Sequence, residues 1–414
     1  MFAGLIRKPE MIENNILAIN KQSCMGCGLC AEVCPQKCIS MTPDSEGFLF
    51  PSMDSDVCIA CGKCLKECPA TDAANELYHK DEANYFCSII SDKDILIKSS
   101  SGGVFGVMAK NTLAEGGYVC GCVYNTEMIA EHIVTNNQAD VERMYGSKYV
   151  QSRAYGCFDE VKTILESGKT VLFTGTACQI AALRLFLRRD YENLCCVEIL
   201  CHGVPSPELF SEYVKYLEKK LNGRVVDIQF RNKEKHGWGS EHRTCVVYEK
   251  KGSVRKYRPT LPAYFSAFFY GLNLRESCYQ CKFARKERVA DITIGDFWGS
   301  WAKYGKRFDE GISVVGVNSE KGKSFVSKIK GDFAFYDNLT QNEAARSNDN
   351  MEHPIKRPNE RTYFYDHSAK KRYKGLWKKA YLSKTYRKKT LASVYGAFVP
   401  AKIRFAIQRR KVKK

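Results

Sequence analysis

The stretch that decides the reading runs from Cys24 to Pro69. It holds Cys24-Met-Gly-Cys27-Gly-Leu-Cys30-Ala-Glu-Val-Cys34-Pro35 and then Cys58-Ile-Ala-Cys61-Gly-Lys-Cys64-Leu-Lys-Glu-Cys68-Pro69. Both halves follow the pattern C-x2-C-x2-C-x3-C-P, in which three closely spaced thiolates reach three irons of one cubane. The fourth, carried past a short turn and stopped by proline, turns toward the neighbouring cluster. The spacing therefore predicts two 4Fe-4S clusters. One is held by Cys24, Cys27, Cys30 and Cys68, the other by Cys58, Cys61, Cys64 and Cys34. Gly26, Gly28 and Gly62 suit a backbone wrapped closely around an inorganic core. Four-cysteine zinc sites also use C-x2-C pairs, but two triplets, each ended by Cys-Pro, do not fit one. The chain is expected to move electrons.

At 414 residues, with 44% apolar and 12% aromatic side chains, the chain can build two or three domains with sizeable cores. It has 20 cysteines, and the eight above must stay thiolate, which predicts a reducing, cytoplasmic setting. No secretory leader is expected, because Met1 to Lys8 is followed by Pro9, Glu10 and Glu13 without a long apolar run. No stretch of roughly 18 apolar residues exists to span a bilayer, and Ala263 to Leu274 reads as a short buried helix. The formal charge of +18 is uneven. Residues 367–414 carry 17 Lys and Arg and no acid, which leaves only +1 for residues 1–366.

These features predict three parts: a small ferredoxin-like module over 20–75, a larger mixed-sheet domain over 84–350, and a basic, helical tail over 367–414. Ala70 to Asp81 reads as a polar linker. From Asn84 onward, strand-like and helical segments alternate, the texture of an α+β or mixed α/β core. Tyr85 to Ile90, Tyr118 to Tyr124, Thr170 to Phe173 and Leu194 to Leu200 read as buried strands. Ser101 to Leu113, Phe158 to Ser167, Ala177 to Arg188 and Pro207 to Leu221 read as helices. A second group of strands is predicted at Val225 to Arg231, Arg243 to Tyr248, Ser253 to Tyr257, Asp291 to Ile294 and Ile312 to Val317.

Four stretches of the larger domain carry chemistry. In the first, Lys98, Ser100, Ser101, Gly102 and Gly103 enter a helix, where unpaired amides attract a phosphate or a flavin ring edge; Ser101 could equally be a plain N-cap. The second is Thr174-Gly175-Thr176-Ala177-Cys178, a strand, a tight turn and a helix start. It puts Cys178 in a first helical turn, where a thiolate is favoured. The third sets Cys201 and His202 at the end of a strand; His202 reads as a hydrogen-bonding neighbour. The fourth contains Cys278 and Cys281, then Asp296 at another strand end, with Arg275, Lys282, Arg285, Lys286 and Arg288 nearby to offset thiolate charge. Cys178, Cys201, Cys278 and Cys281 make a set of four, open to a third 4Fe-4S cluster, a zinc ion or a dithiol. The cysteines at 87, 120, 122, 195, 196 and 245 read as small buried hydrophobes, and Cys38 as a bystander.

Together these stretches resemble the coenzyme F-420 hydrogenase/dehydrogenase beta-subunit family over roughly residues 20–350. The likeness is strongest in Ser100 to Gly103, Phe173 to Thr176, Cys178-Gln179, Cys201 to Gly203 and Cys278 to Gly299. Ala177 departs from the pattern, where proline is expected before the cysteine. The resemblance implies an iron–sulfur flavoprotein with FAD beside a 4Fe-4S cluster, exchanging electrons with a deazaflavin or related acceptor. The fused ferredoxin module looks like the bacterial branch, often associated with surface-polysaccharide biosynthesis. FAD is accordingly expected at Lys98, Ser100 to Gly103, Thr174 to Thr176 and Asp296, and the third cluster at the four cysteines.

The expected function is an oxidoreductase that joins one-electron clusters to a two-electron flavin and a soluble donor or acceptor. The alternative is an electron-transfer subunit without its own substrate, docked on a partner enzyme. A redox partner protein or small electron carrier is implied either way. No nucleic-acid motif accompanies the basic tail. In that tail Leu391, Val394, Tyr395, Phe398 and Val399 share one helix face, which predicts peripheral contact with an anionic membrane at the cytoplasmic face.

Overall fold

The computed structural model describes residues 14–235, 237–239, 243–259, 263–305, 308–346 and 348–368. Beyond the end of the helix Glu360–Ser368, the predicted tail, with its stripe from Leu391 to Val399, lies outside the described residues.

The fold is mixed α/β. Within the cysteine module, β1 (Ile39–Pro43) and β2 (Leu49–Met53) form an antiparallel hairpin. The larger part contains β3 (Asn84–Ile90), β4 (Tyr118–Tyr124), β5 (Ala130–Thr135), β6 (Val171–Gly175) and β7 (Leu194–Ile199). It continues through β8 (Arg224–Gln229), β9 (Cys245–Lys250), β10 (Ser253–Tyr257), β11 (Ile292–Asp296), β12 (Ser313–Val317) and β13 (Phe333–Leu339). Eight of these make one sheet in the order β13-β3-β12-β11-β7-β6-β4-β5. Its centre, β4, β6, β7 and β11, is parallel, and the strands flanking it pair antiparallel. The remaining β10-β9-β8 form a small antiparallel sheet.

Asp291 to Ile294 and Ile312 to Val317 therefore join the main sheet as β11 and β12 rather than a second group. They are short and buried on both faces, so their sequence shows no alternation that would tell which neighbours they take. The edge strands β5 and β13 have no counterpart among the expected strands: β5 mixes Glu131 and His132 with apolar residues without a clean alternation, and β13 exposes Tyr336 and Asn338.

Successive residues of the central strands point to opposite faces and feed two cores. Leu172, Cys195 and Val197 pack with Val104, Val107 and Met108 of the helix Val104–Ala114. Val171, Phe173, Leu194 and Cys196 pack with the helices Phe158–Glu166 and Ala177–Leu187. Leu29, Val33 and Ile39 of the cysteine module belong to that second core, so the module is seated on the large domain by shared apolar burial.

Charged locks complete the seat. Arg361, 1% exposed, grips Glu46 through both carboxylate oxygens at 2.7 and 2.6 Å and donates to the Leu274 carbonyl at 2.9 Å. Glu276 lies 3.0 Å away on its other side. Arg361→Ala would strand the Glu46 carboxylate, since Glu276 keeps Arg357 at 2.8 Å, and it is expected to lower stability by about 3 kcal/mol, the lower end for a broken buried pair because Glu46 keeps some solvent. Anaerobic urea denaturation followed by tryptophan fluorescence checks this; an unchanged midpoint contradicts it.

Candidate redox centres

The spacing of the first eight cysteines is reproduced as two depressions. Cys24, Cys27, Cys30 and Cys68 line one of ≈220 Å³, walled by Ile16, Met41 and Phe50. Cys34, Cys58, Cys61 and Cys64 line a narrower second one. Cys38 is not remote from it: its Sγ lies 3.4 Å from that of Cys34, and it lines the same depression. Burial pushes the Cys27 and Cys30 thiols well up and Cys68 up to about 11, with neighbouring thiolates adding to the shift. Thiols so placed become thiolates only beside a cationic centre, which an iron core supplies. Among the described residues no three His, Cys, Asp or Glu side chains are gathered tightly enough for a single metal ion. Thiolates around a cubane each bind a different iron and need not converge on one point.

The second set is brought together from three elements. Cys178 sits in the first turn of Ala177–Leu187, Cys201 follows β7, Cys278 lies on the 3-10 helix Glu276–Gln280, and Cys281 ends that helix. Burial pushes Cys201 well up, and the charges of Cys278, Cys178 and Cys281 push the same way. Cys278 is raised to about 12 and Cys281 to about 11, again chiefly by burial. The expectation that the helix start favours a Cys178 thiolate is reversed: desolvation outweighs it, and the Cys178 pKa rises. Thr176 Oγ1 lies 3.1 Å from its sulfur.

Of the five nearby cations, Arg275 turns its guanidinium to the first set, with Nη2 3.6 Å from Cys24 Sγ. Arg288 is buried against Glu198 at 3.4 Å, Lys282 donates to the Thr71 carbonyl, and Arg285 and Lys286 pair with Glu287 and Glu352.

The carboxyl ends of β6, β7 and β11 open onto a cavity of ≈620 Å³, the place where parallel sheets hold ligands. Ser100, Ser101, Gly103, Thr174, Gly175, Thr176 and Asp296 line it, and so does Cys201. Lys98 does not: it pairs with Glu142 at 2.8 Å on the surface. Gly102 is packed beneath the turn, where an added Cβ would lie 2.2 Å from the Ser88 carbonyl oxygen. Nor are all the expected amides free. That of Gly102 donates to Ser313 Oγ at 2.9 Å, and that of Thr176 to Gln179 Oε1 at 3.0 Å. Asp296 accepts from Arg231 at 2.9 and 3.3 Å and from Trp238 Nε1 at 2.8 Å, so its carboxylate positions Arg231.

Several lining residues carried no sequence signal. Arg231 stacks on Trp298, which stacks on Trp238, and Phe265, Phe268 and Phe269 form an aromatic wall. Behind the serine turn, Lys233 donates to the Ser101 and Glu310 carbonyls at 2.9 and 2.7 Å, and burial pulls its ammonium down to about 7. His132 donates Nε2 to the Thr174 carbonyl at 2.9 Å, and His202 shares Nδ1 with Asn350 Oδ1 at 3.1 Å. Their other nitrogens, His132 Nδ1 and His202 Nε2, are buried without a partner. Burial keeps both rings neutral, His132 down to about 4. A cavity with an aromatic wall and a few polar groups at its edge fits a planar ligand with polar edges.

Residues 168–335 match the family model for the C-terminal region of the coenzyme F420 hydrogenase/dehydrogenase beta subunit, and residues 23–72 match the 4Fe-4S dicluster domain. No curated protein matches the chain. Among solved structures, it is similar to a chain of the F420-reducing NiFe hydrogenase complex from Methanosarcina barkeri. The identity is 16%, covering 70% of this chain and 93% of that one, with a TM-score of 0.42.

Proposed function

For an iron–sulfur chain that joins a 4Fe-4S dicluster domain to an F420 hydrogenase/dehydrogenase beta-subunit domain, we propose a flavin-dependent oxidoreductase. Its two dicluster cubanes exchange electrons with a third 4Fe-4S cluster at Cys178, Cys201, Cys278 and Cys281, and FAD occupies the cavity beside it. The observation that carries the reading is the position of Cys201, which belongs to the four-cysteine set and also lines the cavity. When bound, the flavin supplies the exchange between one-electron and two-electron steps. The chain's own residues orient and enclose it. Thr174 to Thr176 and Ser100 to Ser101 approach with small side chains, Arg231 brings a cation held by Asp296, and Phe265 and Phe268 exclude water. Purified anaerobically, the chain alone is expected to bind flavin and turn over an artificial two-electron acceptor with a one-electron donor. Clusters without flavin or turnover would favour an electron-transfer subunit. That second reading draws on the exposed Val57 and Ile59 around Cys58 and the exposed Cys61, an apolar rim where a partner protein could take electrons.

The proposal includes the tail. No helix of the described residues is long and apolar enough to cross a membrane, and residues 367–414 carry 17 basic and no acidic groups. Each cation near an anionic leaflet contributes roughly 1 kcal/mol, so the tail would hold the redox body at the membrane in a salt-sensitive way. Co-sedimentation with anionic liposomes is expected to fall at least tenfold on deleting 367–414 or at high salt. Equal binding of both forms would remove the tail as anchor.

A further inference from the structure

The first depression is lined by four cysteines and the second by five. The fifth is Cys38, four residues beyond Cys34, and the local chain path brings it back to that sulfur. Pro35 follows the short helix Leu29–Glu32 and stops its continuation. The Lys37 amide then donates to the Cys34 carbonyl at 3.1 Å and closes a tight loop. Lys37 itself takes a φ of 51°, a left-handed conformation uncommon for any residue but glycine, and its Nζ donates to the Glu32 carbonyl at 3.2 Å. Cys38 leads straight into β1, and its carbonyl accepts from the Asp54 amide at 2.9 Å, just past the end of β2. The hairpin thus fixes Cys38 while the turn fixes Cys34, and the two sulfurs lie 3.4 Å apart.

That contact is within reach of an S–H···S hydrogen bond, so a proton can pass directly between the two groups. The two depressions also differ in access. None of Cys24, Cys27, Cys30 and Cys68 is exposed, whereas Cys61 of the second set is, with Val57 and Ile59 exposed beside it. Thiolates near solvent are the ones open to oxidation, and a poorly sheltered metal ligand is the one that lets go. The extra sulfur therefore stands at the more vulnerable of the two sites.

We propose that Cys38 is a reserve ligand of the second cluster and takes the place of Cys34 on the same iron when that bond opens. The inference rests on the dicluster module of residues 23–72 and needs neither the third cluster nor the flavin. The exchange balances without a redox step. The Cys34–iron bond breaks and a Cys38–iron bond forms, while the proton of the Cys38 thiol passes to Cys34. No electron is gained or lost, and the cluster keeps its charge. With the sulfurs already 3.4 Å apart, rotation of two side chains makes the swap, and the hairpin stays in place. An iron whose ligand has let go is recaptured before solvent removes it.

The test uses the full chain purified anaerobically, with iron counted per chain and open irons detected by electron paramagnetic resonance. Cys34→Ala is expected to keep the native iron content, and the double variant Cys34→Ala, Cys38→Ala to lose about one to four atoms, a single open iron or the whole cubane. Equal iron in the two, whether both retain it or both lose it, overturns the proposal. Cys38 is also tested with all eight ligands in place, which decides the outcome if Cys34→Ala does not fold. Cys38→Ala is expected to release iron to an iron(II) chelator about tenfold faster than the native chain, the low end of the effect of removing a partner of a metal ligand. Cys38→Ser should release it as fast, because a hydroxyl keeps the hydrogen bond but is a poor substitute for a thiolate on iron. A native rate in Cys38→Ala overturns the proposal; a native rate in Cys38→Ser reduces Cys38 to a hydrogen-bond partner and overturns it as well. Cys64→Ala separates this from the ligand grouping: Cys64 is buried in the helix Lys63–Lys66, and its loss should cost iron. Iron unchanged there means that the second set holds no cluster, and the reserve role falls with it.

Discussion

Cys278→Ala is expected to reduce the iron of the anaerobically purified chain from about 12 to about 8 atoms, by the rule of four thiolates per cubane. The effect should be this large because the four thiols come from three separate elements, and none is a spare. Cys178 is delivered by the turn after β6, Cys201 by the end of β7, and Cys278 and Cys281 by the Glu276–Gln280 helix. Burial holds Cys278 at about 12, so with no iron the site would keep neutral thiols and little affinity for cations. Loss of one ligand leaves an open iron that exchanges with solvent, while the eight cysteines of residues 24–68 keep their two clusters. Cys195→Ala is the matched control: Cys195 is a buried thiol within β7, packed in the core rather than at its end. Iron unchanged in Cys278→Ala would end the third-cluster reading.

Ile199→Trp is expected to lower flavin content at least about tenfold, a loss of ~1.4 kcal/mol or more in binding, with iron retained. Ile199 closes β7, lines the cavity and is 42% exposed, so a larger ring there fills cavity space rather than core. It is a better probe than Gly102→Val. The valine would drive its Cβ into the Ser88 carbonyl and the Ser313 amide, at 2.2 and 2.7 Å, and would test folding instead. Flavin extracted after acid precipitation and counted per chain is the measurement. Full occupancy in Ile199→Trp would mean that the flavin lies elsewhere.

The sequence by itself determined the iron–sulfur character of the N-terminal part, which residues 23–72 match as a 4Fe-4S dicluster domain. Short intervals between cysteines leave a chain few ways to place them, so the division of Cys24 to Cys68 into two fours is local geometry and reappears as two depressions. Strand ends were legible for the same reason: an apolar run stopped by Thr174-Gly175-Thr176 or by Cys201-His202-Gly203 must turn there. The tertiary structure decided what such intervals cannot. It took β11 and β12 into the main sheet, since strands buried on both faces carry no mark of their neighbours. It turned Lys98 outward to Glu142 and occupied the Gly102 and Thr176 amides from within, because nearby acceptors outcompete a cavity for them. It also set Arg275 apart from four other cations that look alike in sequence, by placing its buried guanidinium 3.6 Å from Cys24 Sγ and giving the others carboxylates or carbonyls as partners. Burial and long-range pairing are properties of the packed chain, and they set which charges remain to act on a cluster.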